Sequence, residues 1–139
     1  MRRFALVLLC MCLASNALPT MCAAAEAEPN CDIQAQSCTQ TVNGRTVTLD
    51  ITPKPVKAME ALTFRVRVSG ELLNAPPFID LGMPDMKMGP NKVTLKKVED
   101  SVYEGTGVIV RCPSGKTIWE ARVTVPDIGQ ANFIFDVVY

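Results

Sequence analysis

The chain has 139 residues, with 14 Lys plus Arg against 14 Asp plus Glu, no histidine, six cysteines and seven methionines. That length supports one compact domain. The missing histidine excludes Ser-His-Asp and Cys-His catalysis, histidine-ligated zinc and a haem on a proximal histidine, and the balanced charge argues against a nucleic-acid partner.

Arg2 and Arg3 precede an apolar stretch from Phe4 to Leu18, and Ala23 and Ala25 give an A-x-A spacing before Glu26. This basic, apolar, small-residue order is that of a secretory signal peptide. The apolar run is about fifteen residues, short of the roughly 20 that a spanning helix needs. Residues 1–25 are therefore expected to be a cleaved signal peptide, and the mature protein to be periplasmic or extracellular. A lipid anchor on Cys22 is not expected, because Pro19-Thr20-Met21 lacks the small residues of a lipoprotein site. Removing 25 of the 139 residues leaves 114 and takes the formal net charge from zero to −2. The remaining sulfur is Cys31, Cys38 and Cys112 with Met59, Met83, Met86 and Met88. The expected compartment is oxidising, so disulfides would persist there.

Residues 26–44 read as an N-terminal arm and hairpin. The first dozen lack strand pattern, and Asn43-Gly44 is a tight hairpin signal. From 45 to 139 the pattern alternates with period two. Val47, Leu49 and Ile51 alternate with threonines and Asp50. Leu62, Phe64, Val66 and Val68 alternate with Thr63, Arg65 and Arg67. Trp119, Ala121, Val123 and Val125 alternate with Glu120, Arg122 and Thr124. One apolar face and one polar face is the half-buried strand signature. Prolines and glycines at 53 and 55, 76–77, 89–90, 113–115 and 126 mark the loops. The expectation is all-β: a seven-stranded immunoglobulin-like sandwich with strands at 46–52, 62–69, 77–82, 92–98, 102–111, 117–125 and 131–138. A small barrel is the alternative. The expected core is Val66, Val68, Leu95, Val108, Val110, Trp119, Val123, Phe133 and Phe135.

The chemically informative stretch is Met83-Pro84-Asp85-Met86-Lys87-Met88-Gly89-Pro90. Thioether sulfur is a soft, neutral ligand suited to Cu(I). It needs no deprotonation and is not consumed by disulfide formation. In an extended chain Met86 and Met88 point the same way, roughly 7 Å apart, and a bend at Pro84 could bring Met83 round. The bland reading is that methionines fill core space. Against it, these three sit in a Pro/Gly-bounded segment beside Asp85 and Lys87. In a sandwich of antiparallel connections, loops alternate between the two ends. The first, third and fifth connections then share one end, which gathers Met59, the Met83–Met88 cluster and Cys112.

Three cysteines permit one disulfide and one free thiol. Cys31–Cys38 closes the shortest loop and would leave Cys112 as a further soft ligand. Pairing Cys38 or Cys31 with Cys112 would instead staple the arm to the sandwich. Cys-x6-Cys is not the Cys-x-x-Cys of thiol oxidoreductases. Asp80, Asp85 and Glu120 read as solvated charge, and no enzymatic activity is expected.

These residues resemble the YtkA-like domain family over about residues 45–139. The resemblance rests on Met83-Pro84-x-Met86-x-Met88-Gly89, Val93 and Leu95, Tyr103-Glu104-Gly105, and Ser114-Gly115 ahead of Trp119. Asp85 departs from the family pattern, which usually has glycine there. The resemblance implies a secreted or membrane-tethered β-sandwich with a role in copper handling, including delivery to a copper-accepting membrane protein such as an oxidase subunit. The expected cofactor is copper as Cu(I), held by Met83, Met86 and Met88 with Met59 or Cys112 completing the shell. The rival function is an envelope interaction module with no metal.

Overall fold

The structure, a computed structural model, describes residues 26–139; the expected signal segment, residues 1–25, lies outside the described residues. Among the described residues there is no helix, and nine strands form two antiparallel sheets. They are β1 (Cys38–Val42), β2 (Arg45–Thr52), β3 (Ala61–Val68), β4 (Phe78–Gly82), β5 (Lys92–Thr94), β6 (Lys96–Glu99), β7 (Val102–Val108), β8 (Ile118–Val125) and β9 (Gly129–Asp136). One sheet runs β1-β2-β3-β7-β6 and the other β5-β4-β8-β9. The period-two residues do what their alternation requires. Val47, Leu49 and Ile51 of β2, Phe64 and Val66 of β3, Trp119 and Val123 of β8, and Phe133 and Phe135 of β9 are fully buried between the sheets. Each such burial is worth about 1.5–3 kcal/mol relative to exposure.

The strand count corrects the expectation of seven. The β1–β2 hairpin turns at Asn43-Gly44, both with positive φ (46° and 78°), as a two-residue hairpin loop of this kind requires. The expected strand 92–98 is divided. Lys92–Thr94 pairs with β4 in one sheet, and Lys96–Glu99 pairs with β7 in the other. The chain changes sheets at Leu95, which is buried. Two glycines of β7 make room for the crossing. A Cβ on Gly105 would lie 2.3 Å from the Thr94 carbonyl oxygen, and one on Gly107 would lie 2.6 Å from Val93 Cγ2.

The same feature overturns two expected core residues. Val108 and Val110 are 39% and 40% exposed, while Ile109 is fully buried. The inward phase of β7 runs through Tyr103, Gly105, Gly107 and Ile109. Its middle positions are glycines, so counting apolar residues selects the outward valines instead.

The arm is ordered. Cys31 and Cys38 are disulfide-bonded, with Cα atoms 5.6 Å apart, and Ile33 is fully buried. The Ile134 carbonyl of β9 accepts the amides of Asn30 and Cys31 at 2.9 and 3.1 Å, and the Ile134 amide donates to Asn30 Oδ1 at 2.8 Å. Gln34 donates to the carbonyls of Val56 and Asp136 and accepts the Val56 amide at 2.7 Å. The arm thereby covers the free edge of β9, which would otherwise offer unpaired backbone groups.

The registers show which connections share an end of the molecule. Ala61 opposes Val108, Gly82 opposes Glu120, and Ile118 opposes Asp136. The β2–β3 connection bonds to the end of β7 through Met59 and Ile109, and to the segment after β9 in the other sheet through Ala58 and Val138. The β2–β3, β4–β5 and β7–β8 connections and Tyr139 therefore share one end.

Candidate metal centre

Met83 continues the inward face of β4, after Ile79 and Leu81, and is buried. Pro84 and Asp85 then form a tight turn closed by the Met86 amide donating to the Met83 carbonyl at 3.2 Å. Proline suits the second position of such a turn because its φ is already set. The turn reverses the chain and brings Met86 back beside Met83. Met86 is 41% exposed, and both methionines line a cleft of about 210 Å³ with Pro84, Asp85, Lys116 and Ile118. Met86 also lines a smaller neighbouring cleft with Met88, Asp80 and Arg122. Met88 is half-buried against the core.

Cys112 is the free cysteine, and only 3% of it is exposed. Its Sγ lies 3.9 Å from Met86 Sδ, a distance compatible with a thiol donating to the thioether. On its other side Sγ lies 2.9 Å from Ser114 Oγ. The turn Cys112-Pro113-Ser114-Gly115 is closed by the Gly115 amide donating to the Cys112 carbonyl at 3.0 Å, with Gly115 at φ 76°. This turn holds the thiol below its ordinary pKa range. The Ser114 hydroxyl is the largest cause and the Ser114 amide the next, with the amide and charge of Lys116 adding to them against the opposing effect of burial.

The sequence-expected ligands therefore divide. The structure brings Met86 and Cys112 into sulfur–sulfur contact and places Met83 beside Met86 on the wall of the larger cleft, while Cys112 lies behind Met86 and lines neither cleft. Met88 reaches Met86 only on the neighbouring cleft. Met59, 66% exposed at φ 64°, lines neither cleft. Among the described residues, no three Cys, Asp or Glu side chains cluster closely enough to hold a metal ion. A metal at this end would have to use the thioethers.

Comparison with known protein families, with curated proteins and with solved structures finds no match to this chain.

Sequence reading missed Ser114 and Tyr139. The Tyr139 hydroxyl accepts the Cys112 amide at 3.1 Å and the Trp119 indole N–H at 3.2 Å, and donates to the Lys116 carbonyl. Ser114, two residues from a cysteine, was a findable signal, because short polar side chains bond to near neighbours in turns. Nothing in the sequence pairs Tyr139 with Cys112, because that contact depends on β8–β9 pairing. Across the cleft mouth, Glu26 pairs with Lys116 at 3.4 Å and the Ala27 amide approaches Asp85 Oδ2 at 3.5 Å.

Proposed function

We propose that this chain is a periplasmic or extracellular Cu(I)-binding protein, a copper carrier rather than an enzyme, on a YtkA-like, immunoglobulin-like sandwich. The observation that carries the reading is the 3.9 Å separation of Met86 Sδ and Cys112 Sγ. For a metal–sulfur bond of about 2.3 Å, two sulfurs sit about 3.8 Å apart in tetrahedral and about 4.0 Å apart in trigonal coordination. An ion could enter between these two sulfurs with little movement of either. The donor set is soft, which favours Cu(I), and the chain offers no imidazole for Cu(II). A thiol with a lowered pKa supplies the anionic ligand, and thioethers complete the shell without further deprotonation.

We assign Cys112 and Met86 as the central pair and Met83 as the third ligand. Met88 sits on the neighbouring cleft, where it can meet the ion on entry or release. Met59 is left outside. The acceptor in this reading is a copper-accepting membrane protein, such as an oxidase subunit. The test is Cu(I) titration against a competing chelator for wild type, Cys112→Ser and the Met83/Met86/Met88→Leu triple variant. Both variants should bind far more weakly than wild type. Equal affinities would remove the assignment.

A second reading, an envelope interaction module without metal, is favoured by the exposed Met59, Val108, Val110 and Val138 near the same end. Capture of a partner from envelope extract with metal chelated would support it, and capture that needs copper would support the first.

A further inference from the structure

We infer that Tyr139 is a positioning residue for the sulfur pair: its hydroxyl ties both ends of the Cys112–Lys116 turn to the buried Trp119 and so holds Cys112 against Met86. Its functional meaning rests on the Cu(I) reading; its geometry stands on three hydrogen bonds. A phenol offers one donor and two acceptor lone pairs. Here the amide of Cys112 and the indole of Trp119 use the acceptor side, and the Lys116 carbonyl takes the proton.

Trp119 is fully buried and pairs with Phe135 in the β8–β9 ladder. It is a rigid point. Residues 113–116, by contrast, are exposed. One short turn bond, from the Gly115 amide to the Cys112 carbonyl, closes the loop from within. The tyrosine hydroxyl is what connects that loop to the core through both its first and last residues. A ligand held in place before the metal arrives gives up less freedom on binding. Loss of an outer-shell partner of a metal ligand typically costs about 10- to 100-fold in affinity.

The experiment compares wild type, Tyr139→Phe and Val137→Ala. The phenylalanine keeps the ring, including its contact with the Arg111 guanidinium at 5.4 Å, and removes only the hydroxyl. Val137 is buried next to the same segment but makes no bond to that hydroxyl, so it controls for general loss of stability. Two readouts need no metal. Alkylation of Cys112, the free thiol, should quicken in Tyr139→Phe and not in Val137→Ala. Emission from Trp119, the single tryptophan, should shift in Tyr139→Phe. Cu(I) affinity of Tyr139→Phe should fall about 10- to 100-fold.

Unchanged alkylation in Tyr139→Phe, or an equal rise in Val137→Ala, would overturn the inference. A wild type that binds no Cu(I) would remove the copper reading while the alkylation rates still judge the positioning. Should Tyr139→Phe not fold, hydrogen exchange in the wild type decides: the Cys112 amide should be protected, and exchange at the rate of an unstructured peptide would overturn the inference.

Discussion

The two cysteine regions of this sandwich solve opposite problems. Cys31 and Cys38 lock the arm to the first strand with a covalent bond. Cys112 is a free thiol held without a covalent link, by burial and by contacts with Ser114 on one side and Met86 on the other. The first region uses sulfur as a structural link and surrounds it with backbone pairing to β9. The second keeps sulfur chemically available while burying it from bulk solvent. An oxidising compartment would consume an exposed thiol. Cys112 is only 3% exposed and lies next to a thioether that cannot form a disulfide.

The largest expected difference between the regions appears when each cysteine is removed. Cys112→Ala should weaken Cu(I) binding by more than about 100-fold, or about 2.7 kcal/mol, while changing folding stability by about 1 kcal/mol or less. Chelator competition and thermal melting read the two quantities separately. The Cys31→Ser/Cys38→Ser double variant should do the reverse. Losing a disulfide that spans a sequence separation of 7 should lower stability by about 2–3 kcal/mol and leave Cu(I) affinity at the wild-type value. If it lowers affinity as well, the two regions are coupled and the contrast fails.

A smaller effect tests the arm without touching sulfur. Gln34→Ala deletes three hydrogen bonds, leaving the Val56 amide without its side-chain acceptor. It should cost about 1–3 kcal/mol by denaturant unfolding, again with unchanged metal affinity.

Ser114→Ala sharpens the thiol side. The pH midpoint for Cys112 alkylation should move up towards the ordinary thiol value of about 8.5, because the largest cause of its lowering is gone. The sign for stability follows from linkage. Folding lowers this pKa, so between the native and unfolded values the unfolded chain binds more protons. Stability therefore rises with pH across that window. The contribution is complete above the unfolded value and lost as pH falls through the native one. Ser114→Ala should flatten that rise. Met59→Leu should leave Cu(I) affinity unchanged, since the side chain is 66% exposed and stands outside the assigned ligand set.

Much of this contrast was legible in the sequence. Alternation located the strands that carry the core, Asn43-Gly44 marked the first hairpin, and loop parity gathered Met83, Met86, Met88, Met59 and Cys112 at one end. What escaped depends on pairing between distant segments. The break at Leu95 is set by Gly105 and Gly107, whose lack of a side chain looks like a weak strand until Thr94 is seen against them. The exposure of Val108 and Val110 follows from the same shift in phase. Both Cys31–Cys38 and a pairing with Cys112 fitted the sequence, and the path of the arm along β9 decides between them. Pro84 signalled a bend near Met83, yet the inward phase of β4 is what buries that side chain. The Tyr139 contact joins residues 27 positions apart and has no local signature.

If Cys112 and Met86 share one soft metal ion, copper K-edge X-ray absorption on the stoichiometric Cu(I) complex should show a first shell of sulfur alone at about 2.3 Å, falling by one sulfur in Met86→Leu. A first shell of oxygen or nitrogen, or an unchanged sulfur shell in that variant, would contradict that sharing.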